Sequence, residues 1–553
     1  PGIVFEDFVI MGSTPGENEG AAPGHIRAFD TRTGELKWVF HTIPHPGEFG
    51  YDTWPPDAYK TAGAANNWGG MSVDEKRGLV FVPTGSPVYD FYGANRKGMN
   101  LFSDCLLALD ARTGKRVWHF QTTHHDLWDY DLPSQPTLGT ITRNGKKVDI
   151  VIQASKQGFV FVFNRETGEP IWPIEERPVA QTTVPGEQTW PTQPFPTLPE
   201  PVARQKLTLN DISPLLGPEE YKAARERFAL ARNDGLYTPP AIESSVQEPG
   251  VNGGTLYGGG AFDAETGIYY IPSHSQPSLI KLNAVAVGGR GGAAPNPLAR
   301  GRQLYQTMCM TCHGLTGRGE TEVMTALLSA AAATTAAKAG GAETPNLQSV
   351  TERLDLAAFS AQIRQGKGRM APFDTTALAD ADLPLVYDFL KQVKNEQPVT
   401  INPANITAED LRFRTGFNWF RDSDAILPAV VPPWGQLTAI DLNTGSTLWK
   451  RLLGNEEPDL AGNDFPTGNK YVKGGPAVTA GGLIFQAGAA DNKLRAFDKK
   501  TGDLLWEYTL PFSALHTPAV YEVNGKQYIV ICAFGARRNP GVNDAVIAFA
   551  LPD

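Results

Sequence analysis

The chain is poor in cysteine, with four in 553 residues, too few for a fold stapled by disulfides. No apolar run approaches the ~18 residues of a membrane-spanning helix, so no transmembrane segment is expected. Lys and Arg never gather into a tract, and the formal net charge is −10, which argues against a nucleic-acid partner. There is no initiator Met and no signal-peptide pattern. Pro1-Gly2 passes directly into strand-like "IVFEDFVIMGS", which reads as a processed or truncated start with earlier sequence upstream. Turn formers abound instead, with 57 Gly and 44 Pro.

Five segments share one pattern: "AFDTRTGELKWVF" (28–40), "ALDARTGKRVWHF" (108–120), "VFNRETGEPIWPI" (162–174), "AIDLNTGSTLWKR" (439–451) and "AFDKKTGDLLWEY" (496–508). In each, an apolar strand ends in Asp or Asn, a Thr-Gly turn follows, and the next strand carries Trp. Glycine supplies the positive φ of a tight hairpin. Recurrence at several tens of residues points to a propeller, whose small sheets bury their faces by stacking on one another. Trp38, Trp118, Trp172, Trp449 and Trp506 are then blade-packing residues. A weaker copy, "AFDAETGIYYIP" (261–272), lacks the Trp. Cys105 and Cys532 lie in apolar strand-like runs and read as buried thiols.

The gap between Trp172 and Trp449 holds two insertions. The first, roughly 175–240, is Pro-rich, includes a helical pattern at 218–233, and reads as a surface excursion. The second changes character. "NPLARGRQLYQTMCMTCHG" leads into Cys309-Met310-Thr311-Cys312-His313, the attachment signature of a c-type haem, with thioethers to Cys309 and Cys312 and His313 as proximal ligand. A zinc site would need a second ligand pair, and the other two cysteines stand far off in strands. Met370, in "IRQGKGRMAPFD" 57 residues after His313, precedes a helix with Leu383, Val386, Tyr387, Leu390 and Val393 on one face. This segment resembles a small class I cytochrome c, which implies Met370 as the sixth ligand. Covalent haem is attached outside the cytoplasm, so a periplasmic or other extracytoplasmic location is expected.

"THHDLWDYDLPSQP" (123–136) gathers two His, three Asp, Trp128 and Tyr130. So many carboxylates need solvent, cations or a metal. Lys156, between two strand-like runs 27 residues after Asp129, is an edge residue or, beside an Asp in a cleft, a perturbed catalytic partner.

With the Thr-Gly/Trp repeats, "HHDLWDYDLPSQPT" and the Asp129–Lys156 interval, the chain resembles the quinoprotein alcohol and glucose dehydrogenases, closest to the membrane-bound glucose dehydrogenase branch. The resemblance covers roughly 1–290 and 398–553. It implies an all-β, eight-bladed propeller, incomplete at its N-terminus, with an inserted all-α cytochrome c domain. The expected division is 1–296 (propeller), 297–397 (cytochrome) and 398–553 (last blades).

Carried over by position, Asp129 would be the general base that takes the substrate hydroxyl proton while hydride moves to pyrroloquinoline quinone (PQQ). Lys156 would hydrogen-bond the quinone oxygens, Trp68 in "AANNWGGMSVD" would stack on the flat ring, and Ser86 in "PTGSPVYD" falls near another cofactor contact. "MGSTPGENEGAAPGHIRAFD" (11–30) corresponds to the metal loop. Glu17 (or Glu19) and Asn18 would offer oxygens to calcium. His124 and His125 read as orienting or structural residues. Where glucose-oxidising relatives carry a Gly/His-rich stretch, this chain has "AFGARRNPG" (533–541), with Arg537 and Arg538 and no His, which puts glucose in doubt as the substrate. The implied function is a dehydrogenase oxidising a sugar, polyol or alcohol. Electrons would pass from PQQ to the haem and on to an external cytochrome or quinone. The alternative is a propeller scaffold or electron carrier without catalysis, since fold alone does not decide.

Overall fold

A computed structural model describes residues 2–17, 20–286, 301, 304–305, 347, 349–366, 378–392, 411–415, 418–421, 427–456, 466–534 and 545–551. The chain forms two compact units, 1–283 with 413–553, and 284–412.

The repeat pattern explains the first unit. In each copy the Asp or Asn side chain folds back over its own turn. Asp110 Oδ1 accepts Arg112 N at 3.0 Å and Thr113 N at 2.9 Å, and Asn164 and Asp498 do the same. The Gly that follows takes positive φ, +69° at Gly114 and +78° at Gly168. Each turn joins the last two strands of an antiparallel four-stranded sheet. The first sheet is Ile3–Phe5, Phe8–Met11, Ile26–Asp30 and Leu36–Phe40; the second is Ser72–Asp74, Leu79–Pro83, Cys105–Asp110 and Arg116–Gln121. The third has three strands, Thr137–Arg143, Lys146–Ala154 and Val160–Asn164. Its fourth is reduced to one bridge at Pro170, because proline has no N–H to continue a ladder.

The fifth sheet spans Pro476–Val478 to Leu504–Thr509 and the sixth, three-stranded, Ala519–Val523 to Ala545–Ala550. The first strands of sheets one to five touch in succession, the radial arrangement of a propeller.

The repeated Trp residues stitch the blades. The Trp38 ring lies where a Cβ on Gly114 would come within 2.5 Å, and its Nε1 donates to Ala111 O of the next sheet at 3.2 Å. Trp118 meets Gly168 in the same way and donates to Arg165 O at 3.2 Å. Trp172 covers Gly445, and Trp449 covers Gly502. The Thr-Gly turns of the second to fifth blades are thus the seats for the preceding blade's Trp.

The weak copy at 261–272 is not a separate repeat. Ala261–Asp263 and Ile268–His274 are the inner strands of the fourth sheet, and Gly435–Asp441 and Ser446–Leu452 are its outer strands. It lacks Trp because Trp449, on the outer strand of the same sheet, fills that role. The haem-bearing insertion therefore interrupts one blade between its second and third strands. Asn283–Ala286 pairs with Leu411–Arg414. Helix Leu356–Gln365 buries Phe359 and Ile363; helix Leu383–Gln392 buries Leu383, Val386, Tyr387, Phe389 and Leu390. Four of the five expected face residues are among these, and Val393 lies outside the described residues. Among the described residues no helix is long and apolar enough to cross a membrane. Cys105 is buried and Cys532 is half-buried.

Candidate active site

The segment between sheets two and three, Thr122–Pro136, winds around one carboxylate. Asp126 Oδ1 accepts Trp128 N and Oδ2 accepts Tyr130 N, both at 2.8 Å, and Oδ2 also accepts from Ser86 Oγ. This wrap holds Asp129 at φ +59°, a left-handed conformation that a non-glycine residue adopts only when its surroundings enforce it. Trp128 and Tyr130 are buried and anchored: Trp128 Nε1 donates to Thr238 O at 2.7 Å and Tyr130 Oη to Leu236 O at 3.1 Å. Asp129 and Asp131 meet one ammonium, Lys156 Nζ, at 2.9 and 2.7 Å. Asp131 also accepts Ser86 N at 2.7 Å.

Lys156 is buried beneath Gly253, where a Cβ would fall 2.5 Å from Lys156 Cγ. Its Nζ is 5.9 Å from the centre of the half-buried Trp68 ring. Gly85 lets these groups converge. A Cβ there would lie 2.2 Å from Asp131 Oδ1 and 3.3 Å from Trp68 Nε1. Four residues that the sequence marks far apart, Trp68, Ser86, Asp129 and Lys156, thus share one cluster.

Its electrostatics are lopsided. Burial raises Asp129 well above the usual carboxylate range, with Asp131 and Asp90 adding to the shift and Lys156 opposing it. Burial alone would raise Asp131 too, but Lys156 and the Ser86 amide hold it low. For Lys156 burial works against the charge and the two aspartates outweigh it, so its proton is held more tightly than usual. The site therefore contains a fixed ammonium, a fixed carboxylate and one carboxyl poised to exchange a proton.

Three carboxylates not singled out in the sequence complete the cluster. Asp90 is pushed up to about 8 by burial and by the charges of Asp131 and Glu17. Asp104, buried, lies with Oδ1 3.3 Å from Ser86 Oγ, and Asp126 is the hub already described. Asp90 stands only four residues past Ser86, in "SPVYD", and Asp126 within "HHDLWDYD", but nothing local to either shows that they converge. A crowd of buried carboxylates that raise one another, beside the exposed Glu17, fits the oxygen-donor set of a hard divalent cation. Asn18 and the expected haem-holding residues Cys309, Cys312, His313 and Met370 lie outside the described residues, as do Glu19, Arg537 and Arg538.

The Pro-rich excursion does more than cover the surface. Its hairpin, Ile174–Pro178 with Thr192–Pro196, grips the loop just before Asp129. His124 N donates to Gln193 Oε1 at 2.8 Å, and Gln193 Nε2 donates to His124 O at 2.7 Å. His125 Nε2 meets Glu187 Oε1 at 2.9 Å, and Glu187 also accepts from Gly93 N. Arg96, fully buried, donates to Asp126 O at 2.6 Å and Tyr89 O at 3.0 Å. The excursion's helix, Pro218–Leu230, lies where the 218–233 pattern predicts it.

The family described as "Glucose/ethanol/alcohol dehydrogenase, beta-propeller domain", of the PQQ class, matches residues 1–310 and 385–529. "Cytochrome C oxidase, cbb3-type, subunit III" matches residues 296–390. The quinoprotein glucose dehydrogenase of Escherichia coli is 30% identical over 570 residues, covering 100% of this chain and 57% of that protein. The quinate/shikimate dehydrogenase (quinone) of Acinetobacter baylyi is 29% identical, covering 98% and 56%. Among solved structures, the quinohemoprotein alcohol dehydrogenase of Comamonas testosteroni shares the fold at a TM-score of 0.54 and 20% identity, covering 99% of this chain and 59% of that one. The chain spans under three-fifths of the length of each of these three proteins.

Proposed function

Because the chain belongs to the PQQ-dependent glucose/ethanol/alcohol dehydrogenase family, with a cytochrome c segment set into it, we propose that it is a quinohaemoprotein dehydrogenase. It oxidises a CH–OH group of a sugar, polyol or alcohol, and it works outside the cytoplasm, where covalent haem is attached. The observation that carries this reading is Lys156 Nζ held between Asp129 and Asp131 at 2.9 and 2.7 Å.

Asp129 is the general base. Its raised proton affinity brings it closer to a working pH than an ordinary carboxylate, which favours proton transfer in the transition state. Its side chain keeps an exposed fraction of 14%, enough for a substrate hydroxyl to reach it. PQQ, when bound, supplies the acceptor for the hydride that leaves the substrate carbon. Lys156 is the fixed positive charge for oxygens that gain electron density, and Trp68 offers a flat face for a fused ring system. Ser86 holds Asp126 and Asp131 in place. Glu17 and Asn18, with Asp90 beside Glu17, would hold calcium, which polarises a carbonyl as a Lewis acid. Residues 297–397 are the domain that would carry the haem, held by thioethers to Cys309 and Cys312 and by His313 and Met370 as iron ligands. It relays single electrons toward an external cytochrome or quinone.

The test is the chain carrying its haem, loaded with PQQ and calcium, with haem reduction followed across sugars, polyols and alcohols. Asp129→Asn should lower substrate-driven reduction by about 10²–10⁴-fold with PQQ still bound. Undiminished turnover would remove Asp129 from the mechanism. No reduction with any substrate, together with no quinone uptake, would support the scaffold reading.

A further inference from the structure

His25, His41 and His45 come together at the edge of the first sheet, apart from the Asp129 cluster. Their ligand nitrogens all lie within 4.8 Å of one another. The His41 and His45 rings stack at 3.8 Å, and His25 lies 4.6 Å from His41, centroid to centroid. Among the described residues no hydrogen bond joins any two of these rings. We propose that His25, His41 and His45 form a binding site for a borderline transition-metal ion of the Zn2+ or Cu2+ class, separate from the oxygen-donor calcium site.

Three observations carry this. The first is donor type. Imidazole nitrogens suit Zn2+ and Cu2+, whereas Ca2+ takes oxygens. An ion about 2.0–2.1 Å from each nitrogen holds them up to about 4.2 Å apart, so small side-chain rotations close the set.

The second is the neighbouring carboxylate. Glu48 Oε1 accepts from His41 Nδ1 at 2.8 Å while Oε2 accepts His45 N at 2.7 Å. This is the carboxylate–histidine arrangement that fixes the tautomer of a ligand and turns the Nε2 lone pair outward.

The third is burial. His25 is 7% exposed, so its ring lies out of bulk water. His41 and His45 are half-buried, which leaves an entry from solvent.

One bond stands against the ion. Thr42 N donates to His25 Nδ1 at 3.2 Å. Ligation through either nitrogen gives up this bond, since the neutral ring then has no lone pair left for Thr42. The strand that His25 precedes and the loop that His41 opens would be cross-linked by the metal. That loop is otherwise tied down at its far end, where Trp54 Nε1 donates to Leu101 O and Leu101 N donates to Thr53 Oγ1 at 3.0 Å.

The experiment strips the haem-carrying chain with a chelator, restores calcium, and titrates Zn2+ alone and Cu2+ alone. One Zn2+ per chain is expected, not displaced by excess Ca2+. The Cu2+ paramagnetic resonance spectrum should show coupling to imidazole nitrogen. His45→Ala removes a half-buried loop side chain and should weaken Zn2+ at least tenfold with the haem spectrum and circular dichroism unchanged. Equal Zn2+ affinity in that folded variant overturns the site. Should the variant misfold, the Cu2+ spectrum of the unmodified chain decides, and one without imidazole coupling overturns it as well.

Discussion

His125 Nε2 and Glu187 Oε1 stand 2.9 Å apart with side chains only 1% and 2% exposed, so the turn that carries Asp129 is braced by a charge drawn from a distant excursion. His125 Nδ1 faces Gly98 O at 2.9 Å and Asn100 Oδ1 at 3.1 Å. Both ring nitrogens therefore meet acceptors. Burial alone would raise Glu187, but His125 and Arg96 hold its carboxyl below the usual range. His125 itself sits at φ +46°, four residues before Asp129 at +59°. Two left-handed non-glycine residues in one short loop need enforcement from outside, and this pair supplies it.

Glu187→Gln keeps an acceptor for His125 but removes the charge. With the quinone and substrate still bound, a small misplacement of Asp129 should lower kcat about ten- to a hundredfold with KM little changed. Glu187→Asp should recover part of the loss. An unchanged kcat in a folded Glu187→Gln protein would show that the pair braces the fold without positioning the base.

Asp131 competes with Asp129 for Lys156 and adds a like charge beside it. Asp131→Asn removes that repulsion and leaves the ammonium to Asp129 alone, so the Asp129 pKa falls. The acid limb of the pH profile of kcat/KM should therefore move to lower pH. The measurement is that profile in the variant against the parent chain. A limb that stays in place would assign it to a group other than Asp129.

The repeat was legible because one short motif does three local jobs. Asp or Asn closes the turn, Gly permits it, and Trp packs on the neighbouring turn. Each job leaves a fixed residue type at a fixed spacing. The blade divided by the insertion was harder to see. A sheet assembled from 261–274 and 435–452 leaves no local trace, so the Trp-less copy reads as a weak repeat. In the site, Asp129, Lys156, Trp68 and Ser86 stand in recognisable strings. Glu187, Asp104 and Arg96 matter only through long-range contact, and no neighbouring residue in the sequence marks them. The His25–His41–His45 cluster was missed for the same reason, since His25 reaches the other two across a complete hairpin.

Trp118 and Trp506 occupy the same place in the motif but not in the packing. Trp118 is 7% exposed and seated on Gly168, whereas Trp506 is 40% exposed and touches Tyr508 and Phe549. In this chain Trp118→Ala should lose about 3–5 kcal/mol of stability, and Trp506→Ala about 1 kcal/mol. Denaturant unfolding of both variants checks the difference. Equal losses would mean that the seat on the glycine turn contributes nothing.

Asp74 joins sheets two and three through charge. Its Oδ2 lies 2.8 Å from Arg77 Nη1 and 3.1 Å from Arg165 Nη1, and Arg77 Nη2 continues to Asp149 at 2.6 Å. Burial alone would raise Asp74, but the two guanidinium groups prevail and its pKa is lowered. A carboxyl with a depressed folded pKa stabilises the fold above its unfolded pKa, about 3.9. That contribution is lost as pH falls through the folded pKa. Asp74→Asn should therefore cost about 2 kcal/mol at pH 7, where two half-buried guanidinium groups lose the charge they share. The gap between variant and parent should narrow as pH falls below about 4 and close once pH has fallen through the depressed folded pKa, where the parent's own Asp74 takes up its proton. Urea unfolding of both proteins at neutral and acid pH measures this gap. A gap that persists undiminished in acid would place the role of Asp74 in shape and hydrogen bonding, with no share for its charge.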